Sequence, residues 1–185
     1  MVARQLTSPG VVRVGHFQLL SGLHTDTFIA FSKLADNTDE LELVASWLEP
    51  TVGSWQVDSI LAPSTAGVAL GATLARRLGV PLFLALVRPD GRPDQLLGVG
   101  NPSLRRTLIV NDVTTTGSSL GALAELIEEN QGEVAGATWY ASRGSKDLDF
   151  AFPTAHVVDV HLNAHPAERC SLCSHGEPER ATDLN

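Results

Sequence analysis

The sequence contains little lysine, little cysteine and few aromatic residues. Only Lys33 and Lys146 are lysines among 13 basic side chains, and 21 acidic side chains give the 185 residues a formal net charge of −8. A protein that coats nucleic acid needs a basic surface to neutralise phosphates, so this composition argues against a nucleic-acid partner. The acidic composition is still compatible with a binding site for a small anion, because such a site requires only a local positive potential.

Long apolar runs are also missing. No stretch approaches the roughly 20 consecutive apolar residues that span a bilayer, and residues 1–10 lack the apolar segment of a signal peptide, so no membrane partner is expected. Cys170 and Cys173 are too few for a disulfide framework, which makes a reducing cytoplasm the expected compartment. The length and the 43% hydrophobic content suit a single domain over residues 1–185.

Strand and helix signals alternate along most of the chain. Short apolar runs predict buried strands, and segments with one apolar face between glycines or prolines predict helices. The predicted strands are residues 57–62, 82–87, 107–110, 134–140 and 156–160, and the predicted helices are residues 38–48, 67–78 and 118–130. This alternation indicates an α/β fold with right-handed crossovers and a parallel sheet.

Three segments fall outside this alternation. Residues 11–34 contain two strand-like runs around a turn at Ser21-Gly22, and residues 88–103, with three prolines and three glycines, predict a mobile loop. From His165 to Asn185 the chain is polar, which predicts an irregular tail.

The segment from Thr107 to Ser119 carries the most chemical information. An apolar strand delivers Asn111 and Asp112 to the carboxyl edge of the sheet, where ligands of open α/β folds bind. A turn rich in Thr, Gly and Ser then leads into a helix, and its backbone N–H groups and hydroxyls can hold an anion. Asp112 can accept hydrogen bonds from a sugar diol or hold Mg²⁺ through water. The alternative is an ordinary strand–turn–helix junction with capping side chains.

The run Val110-Asn-Asp-Val-Thr-Thr-Thr-Gly-Ser118 resembles the phosphoribosyl-pyrophosphate (PRPP) signature of type I phosphoribosyltransferases. Three further segments resemble the orotate phosphoribosyltransferases, namely Gly15 to Asp26, Asp58 to Val80, and the tail from Pro166 to Pro178, so the resemblance covers nearly the whole chain. It implies a mainly parallel five-stranded sheet flanked by helices, with a small N-terminal hood at residues 11–34. It also implies a Mg²⁺-dependent homodimer of pyrimidine biosynthesis.

The resemblance further implies a role for each matching residue. Ribose 5-phosphate would pass from PRPP to an orotate-like base, with Asp112 and Arg92 taking part in catalysis and Asp112 also facing Mg²⁺. Arg143 and Phe28 would bind the base, although a surface or capping arginine and a core aromatic are the alternatives. PRPP would contact Asn111, Asp112, Thr114, Thr115, Thr116, Gly117, Ser118, Ser119, Thr65, Ala66 and Arg88.

The loop after residue 87 departs from the family pattern. Pro89 and Arg92 stand where the family keeps lysines that reach the pyrophosphate. A guanidinium is a planar fork that keeps its proton, so Arg92 can supply charge but cannot donate a proton to the leaving group. A second hypothesis is therefore a non-catalytic, PRPP- or nucleotide-binding paralogue with a regulatory role.

The tail contains a possible zinc-binding pattern. Cys170 and Cys173, with His165 and His175, supply two sulfur and two nitrogen ligands, enough for tetrahedral Zn²⁺. The alternative is a packed or redox-sensitive cysteine pair. For His16 and His24, packed or capping roles are expected.

Overall fold

The computed structural model describes residues 11–19, 22–30, 33, 35–64, 67–88, 92–97, 104–143, 148–160 and 164–180. The chain divides into two compact units, a larger one of residues 41–160 and a smaller one of residues 1–40 with 161–185. Among the described residues, no helix is both long enough and apolar enough to cross a membrane.

The described residues form ten strands and three α-helices. The helices are α1 (Thr38–Gly53), α2 (Val68–Leu78) and α3 (Ser118–Glu129). The strands are β1 (Val12–Gln18), β2 (His24–Ile29), β3 (Ser59–Pro63), β4 (Leu82–Val87), β5 (Pro93–Leu97), β6 (Arg106–Thr114), β7 (Glu133–Arg143), β8 (Thr154–Val160), β9 (Ala164–His165) and β10 (Glu179–Arg180).

The larger unit is built on a six-stranded sheet in the order β5-β4-β3-β6-β7-β8. Strands β4, β3, β6, β7 and β8 run parallel, as the strand–helix alternation predicts, and β5 adds an antiparallel edge to β4. The strand β5 lies inside the segment that was expected to be a mobile loop. Its pairing Leu84↔Leu97 and Val87↔Pro93 shows that a partner strand can order a run containing proline and aspartate when it lies at a sheet edge.

The helix α1 is longer than its sequence indicates, because Pro50 does not end it. Asn37 caps its start by accepting a hydrogen bond from the N–H of Glu40 at 3.3 Å. Pro50 lies on the exposed face, where water can satisfy the carbonyl that loses its helical N–H partner, so the helix continues to Gly53. Arg77 of α2 joins the two helices by donating to Glu49 at 2.5 Å and to Glu42 at 3.1 Å.

The main core lies between the sheet and α3. Its members are apolar residues with single-digit exposure, including Leu61, Ile109, Leu120, Leu123, Ile127, Ala137 and Trp139. Burial on this scale holds the carboxyl ends of β3, β6 and β7 in fixed positions.

The smaller unit contains a four-stranded sheet in the order β10-β1-β2-β9. β1 and β2 are the two strands expected between residues 11 and 34, and they pair antiparallel with an irregularity between Val14 and Phe17. The tail adds a strand to each side of this hairpin, and two short 3₁₀ helices, Ala167–Arg169 and Ser171–Ser174, lie between those strands.

Candidate functional site

Strand β6, which contains the predicted PRPP-binding residues Asn111 and Asp112, is longer than its apolar run indicates. The sequence predicts that the strand ends at Val110, but pairing with β7 continues to Thr114↔Ser142. Asn111 and Asp112 therefore lie within the strand rather than after it. Asn111 is 4% exposed, whereas Asp112 is half-buried.

The turn after β6 is held by its own hydroxyls. Thr115 and Thr116 are exposed, and the Thr116 hydroxyl donates to the Ser118 hydroxyl at 3.1 Å while accepting the Ser118 N–H at 3.4 Å. Gly117 ends the turn in the left-handed region, with φ 79°, and α3 begins immediately after it. Ser119 is half-buried in the first turn of α3.

A second turn, between β3 and α2, also ends in a glycine with left-handed backbone angles. Gly67 adopts φ 76° and ψ −10°, nearly the values of Gly117 with φ 79° and ψ 0°. Thr65 and Ala66, the predicted pyrophosphate residues, lie outside the described residues. Gly67 is the residue at the start of α2, and because it has no side chain it provides no side-chain cap.

The starts of α2 and α3 share a geometry that is suited to anions. In both α2 and α3 the first backbone hydrogen bond of the helix runs back to the glycine carbonyl, from Gly71 to Gly67 at 2.7 Å and from Gly121 to Gly117 at 2.9 Å. The N–H groups ahead of them have no partner within an α-helix, and neither Gly67 nor Gly117 has a side chain to cap them. In α3 the Ser118 N–H contacts the Thr116 hydroxyl instead. Both helices follow parallel strands, so both starts lie at the carboxyl edge of the sheet, where such N–H groups attract phosphate.

Asp112 and Arg143 form the electrostatic centre of this edge. Burial raises the pKa of Asp112, whereas the backbone N–H groups of Val113 and of Asp112 itself and the positive charge of Arg143 act in the opposite direction. Burial also lowers the pKa of Arg143, and the negative charge of Asp112 opposes that change. The paired strands β6 and β7 thus place a carboxylate and a guanidinium where their charges act on each other, at a partly desolvated edge of the sheet.

Asn111 contributes an unsatisfied acceptor to the same strand. Its Nδ2 donates to the Val113 carbonyl at 3.4 Å, but its Oδ1 is buried and accepts no hydrogen bond from the described residues. A buried acceptor of this kind normally has a partner, so Asn111 is suited to receive one from a ligand.

The loop arginines are engaged in ion pairs. Arg88 donates to Asp94 at 2.5 Å, and Arg92 donates to Glu125 of α3 at 2.9 Å. Both pairs are largely exposed, and exposed pairs of this kind contribute about 0–1 kcal/mol, so a pyrophosphate could displace the acids.

Two contacts at this site are not among the residues predicted from the sequence. Gly67 packs on the backbone of Asn111, and Phe150 packs on Gly117, where a Cβ would stand 2.8 Å from the Phe150 Cζ. The signal for Gly67 is the spacing shared by Thr65-Ala66-Gly67 and Thr115-Thr116-Gly117, each ahead of a helix. Nothing in the local sequence indicates that Phe150 contacts the turn.

Phe28, Cys170 and Cys173 belong to the smaller unit. Phe28 is 3% exposed and packs against Phe17 with ring centroids 5.7 Å apart, which agrees with the core alternative and leaves base stacking a prediction. The two cysteine sulfurs lie beside the rings of His16 and His24.

Comparison with known proteins identifies the family of this chain. A family model described as a phosphoribosyl transferase domain matches residues 31–160. An orotate phosphoribosyltransferase from Caldanaerobacter subterraneus is 30% identical over 168 residues, which cover 91% of this chain and 88% of that protein. The enzyme of the same name from Thermus thermophilus is 31% identical over 172 residues, which cover 91% of this chain and 92% of that protein.

The fold shows the same relationship. The crystal structure of orotate phosphoribosyltransferase from Aeropyrum pernix superposes with a TM-score of 0.73 at 25% identity, over 86% of this chain and 94% of that one. The predicted type I phosphoribosyltransferase fold is thereby confirmed. The chain belongs to the phosphoribosyltransferase family.

Proposed function

We propose that this protein transfers ribose 5-phosphate from PRPP to orotate, releasing pyrophosphate and forming orotidylate, a step of pyrimidine biosynthesis. The observation that carries the proposal is that Asp112 on β6 and Arg143 on the paired strand β7 are placed so that each charge acts on the pKa of the other. Asp112 is suited to a ribose diol, and Arg143 is suited to the carboxylate of orotate, because guanidinium and carboxylate match in shape and charge. Similarity to enzymes named orotate phosphoribosyltransferase supports the same acceptor.

Each of the two helix starts would bind a different phosphate-bearing part of PRPP. The turn from Thr114 to Ser119, with its hydroxyls and the start of α3, would hold the 5′-phosphate. The start of α2 after Gly67, with the backbone of Thr65 and Ala66, would hold the pyrophosphate. The ribose would then lie along Asn111 and Asp112, between the two phosphate sites.

The residues at this edge also fit Mg²⁺, the cation expected with PRPP. Mg²⁺ prefers oxygen ligands, and the carboxylate of Asp112 and the unsatisfied Oδ1 of buried Asn111 are of that kind. Asp112 would hold the ion directly or through water. When bound, the ion would neutralise part of the negative charge of the pyrophosphate.

The transfer itself breaks the bond between ribose C1 and the pyrophosphate oxygen and forms a bond between C1 and a ring nitrogen of the base. That nitrogen gives up its proton to solvent or to the leaving pyrophosphate. Negative charge collects on the leaving pyrophosphate. Arg88 and Arg92 would offset it after exchanging Asp94 and Glu125 for phosphate oxygens, while Arg143 holds the base in line with C1. We also propose a homodimer, on the family resemblance, which light scattering after gel filtration would test.

A second candidate is a PRPP-binding protein that does not turn over. The observation that favours it is that Arg88 and Arg92 are both paired with acids of the chain. Arg92 also stands where resembling enzymes keep a lysine.

A steady-state assay with PRPP, orotate and Mg²⁺ tests the proposal, with orotidylate measured by chromatography. We expect turnover with orotate and none with adenine. Calorimetric titration of PRPP separates the two candidates, because tight PRPP binding without orotidylate at high enzyme concentration would support the second and overturn the first. Turnover with a purine in place of orotate would overturn the assigned base.

A further inference from the structure

Four metal-binding side chains meet in the smaller unit, although they come from opposite parts of the sequence. Their ligand atoms, from His16, His24, Cys170 and Cys173, all lie within 4.8 Å of one another. His16 Nε2 lies 3.0 Å from His24 Nδ1, 3.5 Å from Cys170 Sγ and 3.7 Å from Cys173 Sγ. Cys173 Sγ is also 3.2 Å from His24 Nδ1.

Four of the six separations among these atoms are close to the edges of a zinc tetrahedron. Zinc binds histidine nitrogen at about 2.0–2.1 Å and cysteine sulfur at about 2.3 Å, which places tetrahedral ligand atoms about 3.3–3.8 Å apart. The four separations given above fall within a few tenths of an ångström of that range. Two nitrogens and two sulfurs also form a donor set that selects Zn²⁺ over Mg²⁺ or Ca²⁺.

The ring of His16 is already oriented to bind a metal through Nε2. His16 Nδ1 lies 3.0 Å from the carbonyl oxygen of Gly176, to which it can donate its proton. That hydrogen bond leaves the lone pair of Nε2 directed at the cluster. Metal-bound histidines commonly use a backbone carbonyl in this way to fix the ring and its tautomer.

The backbone supports each ligand from a different element. His16 lies in the irregular part of β1 between Val14 and Phe17, and His24 begins β2. The short 3₁₀ helix Ser171–Ser174 spaces the two cysteines, with the N–H of Cys173 bonded to the carbonyl of Cys170 at 3.3 Å. The ligands are therefore fixed by strand pairing and by a turn rather than by flexible side chains alone.

Apolar burial is limited in the part of the smaller unit that the structure describes. Its apolar cluster contains Phe17, Phe28 and Ala30, with Leu19 at the margin. Small units with so little apolar burial commonly depend on a metal or a disulfide, and a bound zinc contributes its binding energy to folding. A cavity lined by residues that include His24, Cys170 and His165 opens beside the cluster and provides an entry path.

We propose that His16, His24, Cys170 and Cys173 bind one structural Zn²⁺ that joins the N-terminal hairpin to the C-terminal tail. The site has four protein ligands and no open position, which suits a structural rather than a catalytic ion. The cysteines are those that the sequence indicates, but the histidines are not His165 and His175. His165 is exposed in β9, and His175 Nδ1 lies 3.0 Å from the Ser174 hydroxyl. This proposal is independent of the proposed transferase activity.

The test measures metal content and ligand identity on the full chain. The protein is expressed with zinc in the medium, and its zinc is measured by mass spectrometry, with about one ion per chain expected. Apo-protein is then titrated with Co²⁺. Intense visible bands of tetrahedral Co²⁺ and a sulfur-to-cobalt charge-transfer band in the near ultraviolet are expected.

Matched histidine variants identify the ligands. His16→Gln and His24→Gln should each weaken Co²⁺ binding at least tenfold and lower the Tm of the zinc-loaded protein, an effect in line with the loss of a ligand or its support. The double variant His165→Gln with His175→Gln removes the same number of imidazoles and should keep the Co²⁺ spectrum unchanged.

Three outcomes would overturn the proposal. One is a full-length wild-type protein that takes up neither zinc nor Co²⁺ under reducing conditions. Another is a Co²⁺ spectrum without the charge-transfer band, since that would exclude the thiolates. The third is loss of the spectrum in the His165→Gln, His175→Gln variant but not in the other two. The Co²⁺ titration of wild-type protein decides the question even if a variant fails to fold.

Discussion

Gly67 lies so close to Asn111 that a Cβ on the glycine would stand 2.7 Å from the Asn111 Cα and 2.9 Å from the Val110 carbonyl oxygen. Real Cβ atoms do not come this near to backbone, so only glycine fits. The contact joins the start of α2 to the strand that carries Asp112. The two halves of the proposed PRPP site are therefore held together by backbone packing rather than by side chains.

Gly67→Ala should therefore reduce both stability and PRPP affinity. An L-residue in the left-handed region costs about 1–2 kcal/mol, and forcing extra atoms into packed backbone typically costs about 1–3 kcal/mol more. Urea unfolding and calorimetric titration of PRPP measure the two effects.

Gly79→Ala is the matched control, because Gly79 ends the same helix at φ 69° with nothing within 4 Å of its Cβ position. The Gly79→Ala variant should lose only the stability that an L-residue costs in the left-handed region, and its PRPP binding should be unchanged. Equal losses of stability in the two variants would show that the contact with Asn111 is unimportant.

Arg143→Gln should act on orotate more than on PRPP. A charged hydrogen bond contributes about 1.5–3 kcal/mol, so the KM for orotate should rise about 10- to 100-fold while the KM for PRPP changes less. Arg105→Gln, an exposed arginine just before β6 at the other end of the strand, should change neither constant. An unchanged KM for orotate in Arg143→Gln would show that this arginine does not hold the base.

Asp112→Asn should stabilise the protein while it weakens PRPP binding. Because burial raises the pKa of Asp112 above its ordinary value of 3.8, the folded state holds this proton more tightly than the unfolded state does. Stability is therefore lost as the pH rises through the raised pKa, and the full penalty is present at neutral pH. Removing the charge should raise the Tm at pH 7, and this gain should shrink as the pH falls towards 4.

Thermal melts at several pH values, with Asp58→Asn as an exposed control, check this behaviour. A lower Tm for Asp112→Asn at pH 7 would mean that attraction to Arg143 outweighs the cost of burial. PRPP affinity should drop about tenfold or more, since a charged acceptor of the ribose diol is lost.

Placing lysines at the loop positions where the family keeps them tests whether the present loop residues limit the rate of turnover. With Pro89→Lys and Arg92→Lys combined, we expect the turnover with orotate to rise at least tenfold, because one well-placed donor at a developing charge is worth about 10²–10³ in rate. Asp58→Asn makes the same change in net charge away from the loop and should leave turnover as it is. No gain in the double variant would favour the non-catalytic candidate.

The fold was largely predictable because strand and helix signals repeat in order. The limits of α2 and the whole of β4 agree with the sequence, since apolar runs and a glycine after Leu78 decide them locally. The end of α1 and the strand β5 were missed, because they depend on which face Pro50 occupies and on pairing with β4. Tertiary contacts decide such cases, and local propensity does not reveal them.

The candidate site was predictable to the extent that it is continuous in sequence. Asp112 and the turn after it form one motif, and Arg143 follows on the adjacent strand. The packing of Phe150 on Gly117 and the meeting of His16 and His24 with Cys170 and Cys173 join residues that are far apart along the chain or lie in different elements. No local pattern encodes such contacts, so the sequence suggested His165 and His175 as neighbours of the cysteines, whereas the structure brings His16 and His24 to them.

The sheet of the smaller unit has a consequence for synthesis. Its central hairpin, β1 and β2, is made first, but its two outer strands belong to residues 164–180. About 130 residues separate the hairpin from β9, which corresponds to roughly 7–26 s at ordinary translation rates. During that time the hairpin has two unpaired edges, so the unit closes only when the late segment arrives, and ribosomes stalled before residue 164 would carry it in an open, aggregation-prone form.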